Sequence, residues 1–173
     1  MQYLCDFHIH SALSPCAEPD MTPGNIVGMA KLQGLQAIAI TDHQSCGNCV
    51  PAIRQSAEIG GPLVVPGMEV ESSEEIHLIC LFPTLAAAES FSAAVWSNLP
   101  EIINREDIFG EQIYYDEHDQ PVAKESRLLL QACGLGCDEL ASLALLLDCV
   151  CLPAHIDRDA NSMLTILGQV PPE

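Results

Sequence analysis

Apolar and polar positions fall into blocks of two periods, and these blocks succeed one another as strand, helix, strand along the chain. Leu4–Ile9 is rich in β-formers and gives way to a polar loop through Ser14, Pro15 and Pro19. Thr22-Pro23 has the form of a helix N-cap followed by proline at the first helical position, so a helix is expected to about Leu32, with Gly34 as its stop. Gln36–Ile40 predicts a short apolar strand ending at Thr41-Asp42-His43. A second helix is expected over Asn48–Ile59, stopped by Gly60-Gly61, with Pro51 leaving its start open. Leu63–Val70 and Ile76–Phe82 predict strands joined by the acidic turn Ser72-Ser73-Glu74-Glu75. Leu85, Ala88, Phe91, Val95 and Leu99 recur at helical spacing, which predicts a helix over Leu85–Asn98. Gln112–Tyr115 and Pro121–Lys124 flank the polar segment Asp116–Gln120 and predict an inserted hairpin. A helix at Cys137–Leu147, a strand at Val150–Pro153 and a short helix at Asn161–Leu167 complete the series. Strands alternating with helices imply an α/β fold on a parallel sheet, with a functional site at the strand C-terminal ends. With 173 residues, no internal repeat and no linker, one domain over residues 1–173 is expected.

The apolar fraction of 49% is ordinary for a globular protein and argues against disorder. The charge changes the picture. Asp and Glu number 24 against 6 Lys and Arg, for a formal net charge of −18. Such a surface disfavours a nucleic-acid polymer or an anionic membrane as partner, unless bound divalent cations reverse the field locally. The start, MQYLCDFHIH, has no basic region followed by a long apolar run, so no ordinary signal peptide is expected. The longest apolar stretch, Leu140–Leu152, is interrupted by Ser142 and Asp148 and is too short to span a bilayer. A reducing cytoplasm is the expected address. There the nine cysteines, odd in number, would serve as core hydrophobes, metal ligands or redox groups.

Five of the six histidines fall at strand ends or in the loops beside them, and this is the strongest chemical signal in the chain. His8 and His10, spaced by two, present both imidazoles on one face of the first strand and can grip a single divalent ion. An isolated pair of that kind is as readily explained as two hydrogen-bonded or exposed histidines. His43 ends the second strand beside Asp42, which could orient it, and Asp6 could do the same for another ligand. Glu69 lies on the third strand, His77 begins the fourth and His155 follows the last. Imidazoles at four strand ends and a carboxylate on a fifth segment converge on one mouth of the sheet, which predicts a metal site. His118 falls in the hairpin turn and is expected at the surface.

Taken in order, DFHIH, TDH, PGMEV, EIHLICLF and PAHID resemble the polymerase-and-histidinol-phosphatase (PHP) family from about Tyr3 to Arg158. The resemblance implies an incomplete, distorted (β/α)7 barrel with the hairpin inserted, metal-dependent phosphoesterase activity and two to three divalent ions, Zn, Fe or Mn. By position, His8, His10 and Glu69 would hold one ion, and Glu69 would bridge to a second held by His77 and His155. His43 and Cys16 would hold a third. Cys16 stands where family members more often have His or Asp; a thiolate there is softer and favours Zn or Fe, unless the residue is simply an exposed loop cysteine. Family members also carry a late Asp-x-His motif. The sequence reaches Gln169-Val170-Pro171-Pro172-Glu173 without one, so the resemblance implies a domain shortened at its C-terminus, with only the Glu69–His77–His155 site complete. An open barrel would call for a cover, either a second copy of the chain or a separate polypeptide.

Three further features bear on function. Arg158 stands three residues past His155 and is suited to bidentate contact with phosphate, or to an ion pair with Asp157 or Asp159. Cys46-Gly47-Asn48-Cys49 is a lone C-x-x-C, read first as structural or pocket-lining, then as a redox pair, then as a separate zinc site. Cys5, Cys80, Cys149 and Cys151 fall in or beside strands as packing residues, while Cys133 and Cys137 carry no clear signal. The reaction that fits is hydrolysis of a small phosphate ester by metal-activated water, with Glu69 and Asp42 as catalytic-site carboxylates. The rivals are a non-catalytic metal-binding remnant of the PHP fold, acting as an interaction or regulatory module, and a C-x-x-C oxidoreductase.

Overall fold

The computed structural model describes residues 2–170. Its centre is a curled five-stranded sheet in the order β1-β2-β3-β4-β7, with β1 at Cys5–Ile9, β2 at Ala37–Ile40, β3 at Leu63–Glu71, β4 at His77–Leu81 and β7 at Val150–Pro153. β5 (Ile113–Tyr115) and β6 (Pro121–Lys124) form a separate two-stranded hairpin. The α/β architecture, the open half-barrel sheet and the inserted hairpin are as the sequence predicts.

The sheet is not wholly parallel, which corrects the sequence reading. β1, β2 and β3 run parallel, but β4 is antiparallel to β3, and β7 is antiparallel to β4. The connection from β3 to β4 explains why. Five residues, Ser72 to Ile76, cannot carry the crossover that parallel strands require. Instead Ser72 N–H donates to Ile76 O and Glu75 takes a left-handed φ of 62°, closing a tight turn. β7 thereby regains the direction of β3. The open mouth of the sheet therefore receives the C-terminal ends of β1, β2, β3 and β7 but the N-terminal end of β4.

Helices form where the sequence signals them. α1 (Pro23–Leu32) starts behind Thr22, whose hydroxyl accepts from Asn25 N–H, and α2 (Cys49–Ile59) stops at Gly60 with φ 60°. α3 (Leu85–Ser97) buries Ala88, Phe91 and Val95. A short helix not foreseen, α4 (Glu106–Phe109), precedes the hairpin; α5 (Cys137–Leu146) and α6 (Met163–Leu167) flank β7. One core, including Ile38, Ile40, Met68, Phe82 and Phe91, lies between sheet and helices. Gly67 is fixed by close approach, because a Cβ there would lie 2.9 Å from the Ile40 carbonyl oxygen. At the two edges of the sheet, apolar side chains stay exposed: Tyr3, Leu4 and Phe7 on or beside β1, Val150 and Leu152 on β7. No helix among the described residues is long and apolar enough to cross a membrane.

The hairpin is anchored by polar side chains, not by packing alone. Asn48 bonds it like a neighbouring strand, donating to Ile113 O and accepting from Tyr115 N–H. At the turn, the Asp119 carboxylate accepts from Thr22 Oγ1 (2.6 Å), Gly24 N (2.9 Å) and Gln55 Nε2 (2.7 Å), tying hairpin, α1 and α2 together. Asp119 itself holds a left-handed φ of 56°, which Asn tolerates better than Ala. Asp119→Ala should therefore lower stability by about 2 kcal/mol, and Asp119→Asn by clearly less, as read from urea unfolding midpoints.

Candidate metal centre

The parallel ladder continues past β2 far enough to set His43 opposite Glu69. Gln44 N–H donates to Glu69 O, and Glu69 N–H donates to Asp42 O. Glu69 is 1% exposed, at the centre of the mouth. Its Oε2 faces His10 Nε2 at 3.0 Å, His8 Nε2 at 3.3 Å and His43 Nδ1 at 3.4 Å. Its Oε1 faces His77 Nδ1 at 3.0 Å and His155 Nε2 at 3.3 Å. One buried carboxylate thus meets five imidazoles from four segments. The antiparallel turn matters here, since it brings the first residue of β4, not its last, to the mouth.

His8, His10, Cys16, His43, Glu69, His77, His155 and Arg158 line a cavity of about 420 Å³. Every metal-ligand candidate from the sequence is among them. Three trios have donor atoms close enough for a shared ion: His8–His10–Glu69, His10–Cys16–His43 and His43–Glu69–His77. His155 belongs to none of the three but shares Glu69 Oε1 with His77. His8 Nε2 and His10 Nε2 face each other at 3.1 Å. Nitrogen donors crowded on one anion, with oxygen and sulfur beside them, make a donor set that fits divalent cations.

The electrostatics follow from burial and this crowding. Burial opposes ionisation of Glu69, but hydrogen bonds from His10, His77 and His8 outweigh it and hold the carboxyl far below the usual range. Burial lowers His43 to about 3, keeping its imidazole neutral. For His77 burial is overcome by hydrogen bonds to Glu69 and Glu71, which raise it to about 9. Partial burial and the negative charge of Glu69 push the Cys16 thiol up to about 11, even though the residue as a whole is exposed. A cation would be needed to draw that thiol into its ionised form.

Several supporting residues carry no signal in sequence. Ser14 Oγ donates to Asp42 Oδ1 (2.7 Å), contacts His10 Nδ1 (3.2 Å) and accepts from His43 N–H (3.1 Å). With its one proton given to Asp42, the hydroxyl can only accept from His10 Nδ1–H, which turns His10 Nε2 toward Glu69 and the cavity. Ser11 adds two bonds to Asp42, from its N–H (2.7 Å) and its hydroxyl (2.6 Å). On the far side, Glu71 Oε2 lies 3.6 Å from His77 Nε2, and Asn161 Nδ2 lies 3.0 Å from the same nitrogen. Glu71 was findable, because it stands two residues beyond Glu69 on the same face of β3. Ser11, Ser14 and Asn161 depend on loop conformations that spacing does not reveal.

Other candidates fall elsewhere. Asp42 is fully buried behind His10 and outside the cavity lining; it reaches a histidine through Ser14, not by touching the His43 ring. Burial raises its pKa, and the hydrogen bonds from Ser11 and Ser14 work against that rise. Asp6 accepts from the backbone N–H of His8 and so does not orient a ring. Arg158 lines the cavity, and among the described residues no carboxylate lies within ion-pair distance of it. Cys46 and Cys49 are buried core thiols, and neither lines the metal cavity. Burial raises both, the reverse of an activated redox pair. His118 is exposed in the hairpin turn, as expected.

Solved structures with a similar fold are distant in sequence. The chain resembles a protein of Bifidobacterium adolescentis assigned as a metal-dependent phosphoesterase, with a TM-score of 0.61, 19% identity, and coverage of 92% of this chain and 69% of that one. It resembles the lesion-specific endonuclease Q of Pyrococcus furiosus with a TM-score of 0.59 and 20% identity over 96% of this chain. Endonuclease Q bound to a 27-mer duplex with an abasic lesion gives 0.61 and 21% over 96% of this chain. The chain spans only 40% of either endonuclease, and at these identities the likeness is one of fold. No curated protein matches it. The PHP domain model, however, matches residues 6–158, a span that opens just before His8 and closes at Arg158. Since that span contains the whole cavity lining, site and fold identify the same lineage, and the chain belongs to the PHP domain family.

Proposed function

We propose that this metal-dependent PHP domain hydrolyses a small phosphate ester by attack of a metal-activated water. The observation that carries the reading is the single buried carboxylate of Glu69, faced on one oxygen by three imidazoles and on the other by two. Bound divalent ions supply such a reaction with phosphoryl polarisation and an acidified water. In this proposal His8, His10 and Glu69 hold one ion, Glu69, His77 and His155 a second, and His43 with Cys16 a third. The division of imidazoles between the two Glu69 oxygens supports a shared carboxylate. Ser14 and Asp42 fix the His10 ring, and Glu71 does the same for His77.

Among the described residues Arg158 is the one Lys or Arg lining the cavity, and its guanidinium would bind a phosphate oxygen there. The net charge of −18 supports a small ester over a polymer, because 6 Lys and Arg against 24 Asp and Glu offer few cations to track a phosphate backbone. The DNA chemistry of endonuclease Q belongs to that protein.

The test is turnover of an aryl phosphate monoester by the purified protein, assayed with Zn, Fe or Mn and after chelation. Turnover should require metal, and Glu69→Gln should abolish it while lowering bound metal by elemental analysis. Metal retained with no turnover of mono- or diesters would overturn the catalytic reading and leave a metal-binding module. Ser14→Ala should weaken metal binding by roughly 10- to 100-fold with the fold intact, measured by titration against a chromophoric chelator. Cys16→Asp should move the preference of the site from zinc toward manganese, read by competition between the two ions.

A further inference from the structure

Among the described residues one of the nine cysteines, Cys16, lines the candidate metal cavity, and the packing of another two carries its own chemistry. Cys80 on β4 and Cys151 on β7 are direct partners in the antiparallel register, and their sulfur atoms lie 3.8 Å apart. Direct antiparallel partners have Cα atoms about 4.5 to 5.5 Å apart, inside the range that a disulfide requires. The Cys149 thiol also hydrogen-bonds Cys80, but among the described residues no third group lies close enough to both sulfurs to complete a metal site. Neither residue lines the metal cavity.

The two thiols are unequal. Cys80 is fully buried, whereas Cys151 is half-buried and lines a separate cavity of about 340 Å³ between β7, α5 and α6. We propose that Cys80 and Cys151 form a reversible disulfide that staples β4 to β7 when the protein meets a low-molecular-weight disulfide. The Cys151 thiolate attacks one sulfur of that reagent, forming a mixed disulfide and releasing one small thiol. The Cys80 thiolate then attacks the Cys151 sulfur and releases the second small thiol. Two protein thiols and one small disulfide become one protein disulfide and two small thiols. The hydrogen bond from Cys80 also holds the Cys151 thiol below its ordinary pKa, which favours Cys151 as the first to react. β4 starts at His77 and β7 leads into His155, so the staple would join the two strands that deliver these imidazoles. The thiol chemistry stands whether or not the metal reading does.

The competing partner is Cys149, diagonal to Cys80 across the same strand pair. The experiment uses the full chain, reduced, freed of reductant and exposed while folded to glutathione disulfide. Free thiols are then blocked, and the protein is cut with an Asp- and Glu-specific protease for tandem mass spectrometry. The expected result is loss of two hydrogens, one cross-link joining Cys80 to Cys151, and reversal by dithiothreitol. Cys151→Ser should abolish that cross-link, and Cys80→Ser should leave glutathione stranded on Cys151. A cross-link from Cys80 to Cys149, or a wild-type protein that keeps both thiols free or ends with glutathione on Cys151, would overturn the proposal. The wild-type peptide map decides the matter even where a variant fails to fold.

Discussion

Everything at the mouth of this sheet is arranged around the burial of one negative charge. A carboxylate removed from water is costly unless donors or cations replace its hydration. Glu69, 1% exposed, has five imidazoles for that purpose and, among the described residues, no Lys or Arg as an ion-pair partner. Imidazoles are an unusual choice if the aim is only to neutralise an anion. They must be protonated to do so, yet burial keeps His43 neutral and the rings repel one another when charged. A cation would resolve the conflict: it would neutralise the carboxylate and take the lone pairs of the rings in place of protons.

That constraint reaches into the backbone. The candidate ligands come from both ends of strands, and the one reversed strand brings them to a single mouth. The Ser72–Ile76 turn provides the reversal, and places His77 directly opposite Glu71 in the ladder. β7, antiparallel to β4, then points its C-terminal end at the same place. His155 pays for its position with a left-handed φ of 26° and a buried ring Nδ1 that has no hydrogen-bond partner among the described residues. Conformations of that kind persist where surrounding structure over-determines them, as at a ligand site.

Much of this was legible in the sequence, for definable reasons. Strand positions followed from short apolar runs, and His8, His10, His43, Glu69, His77 and His155 followed from their places at the run ends. The hairpin at Ile113–Lys124 was visible because Asp116–Gln120 is unmistakably polar between two β-rich segments. The reversal of β4 was in principle readable too, since a turn of that length excludes a crossover, but the alternation of strands and helices suggested uniform direction. Asp42 was noticed for its neighbour His43, whereas its bonds run to Ser11 and Ser14. Adjacency in sequence predicts little here, because successive side chains on an extended strand point to opposite faces. Ser14 was invisible because its role depends on how the loop curls back beneath His10.

The acidic exterior takes on a different meaning beside this centre. A surface of net charge −18 repels anions at long range, yet within a Debye length the field is set by the nearest charges. Two or three divalent ions in one cavity would dominate that short range and leave the exterior as a filter. An extended polyanion would meet repulsion along its whole length. On the proposed reading, a compact phosphate ester would meet less of it and would enter a site where bound cations and Arg158 face it. The scarcity of Lys and Arg is therefore compatible with the proposed phosphate chemistry, and under that proposal anion binding would depend on metal occupancy.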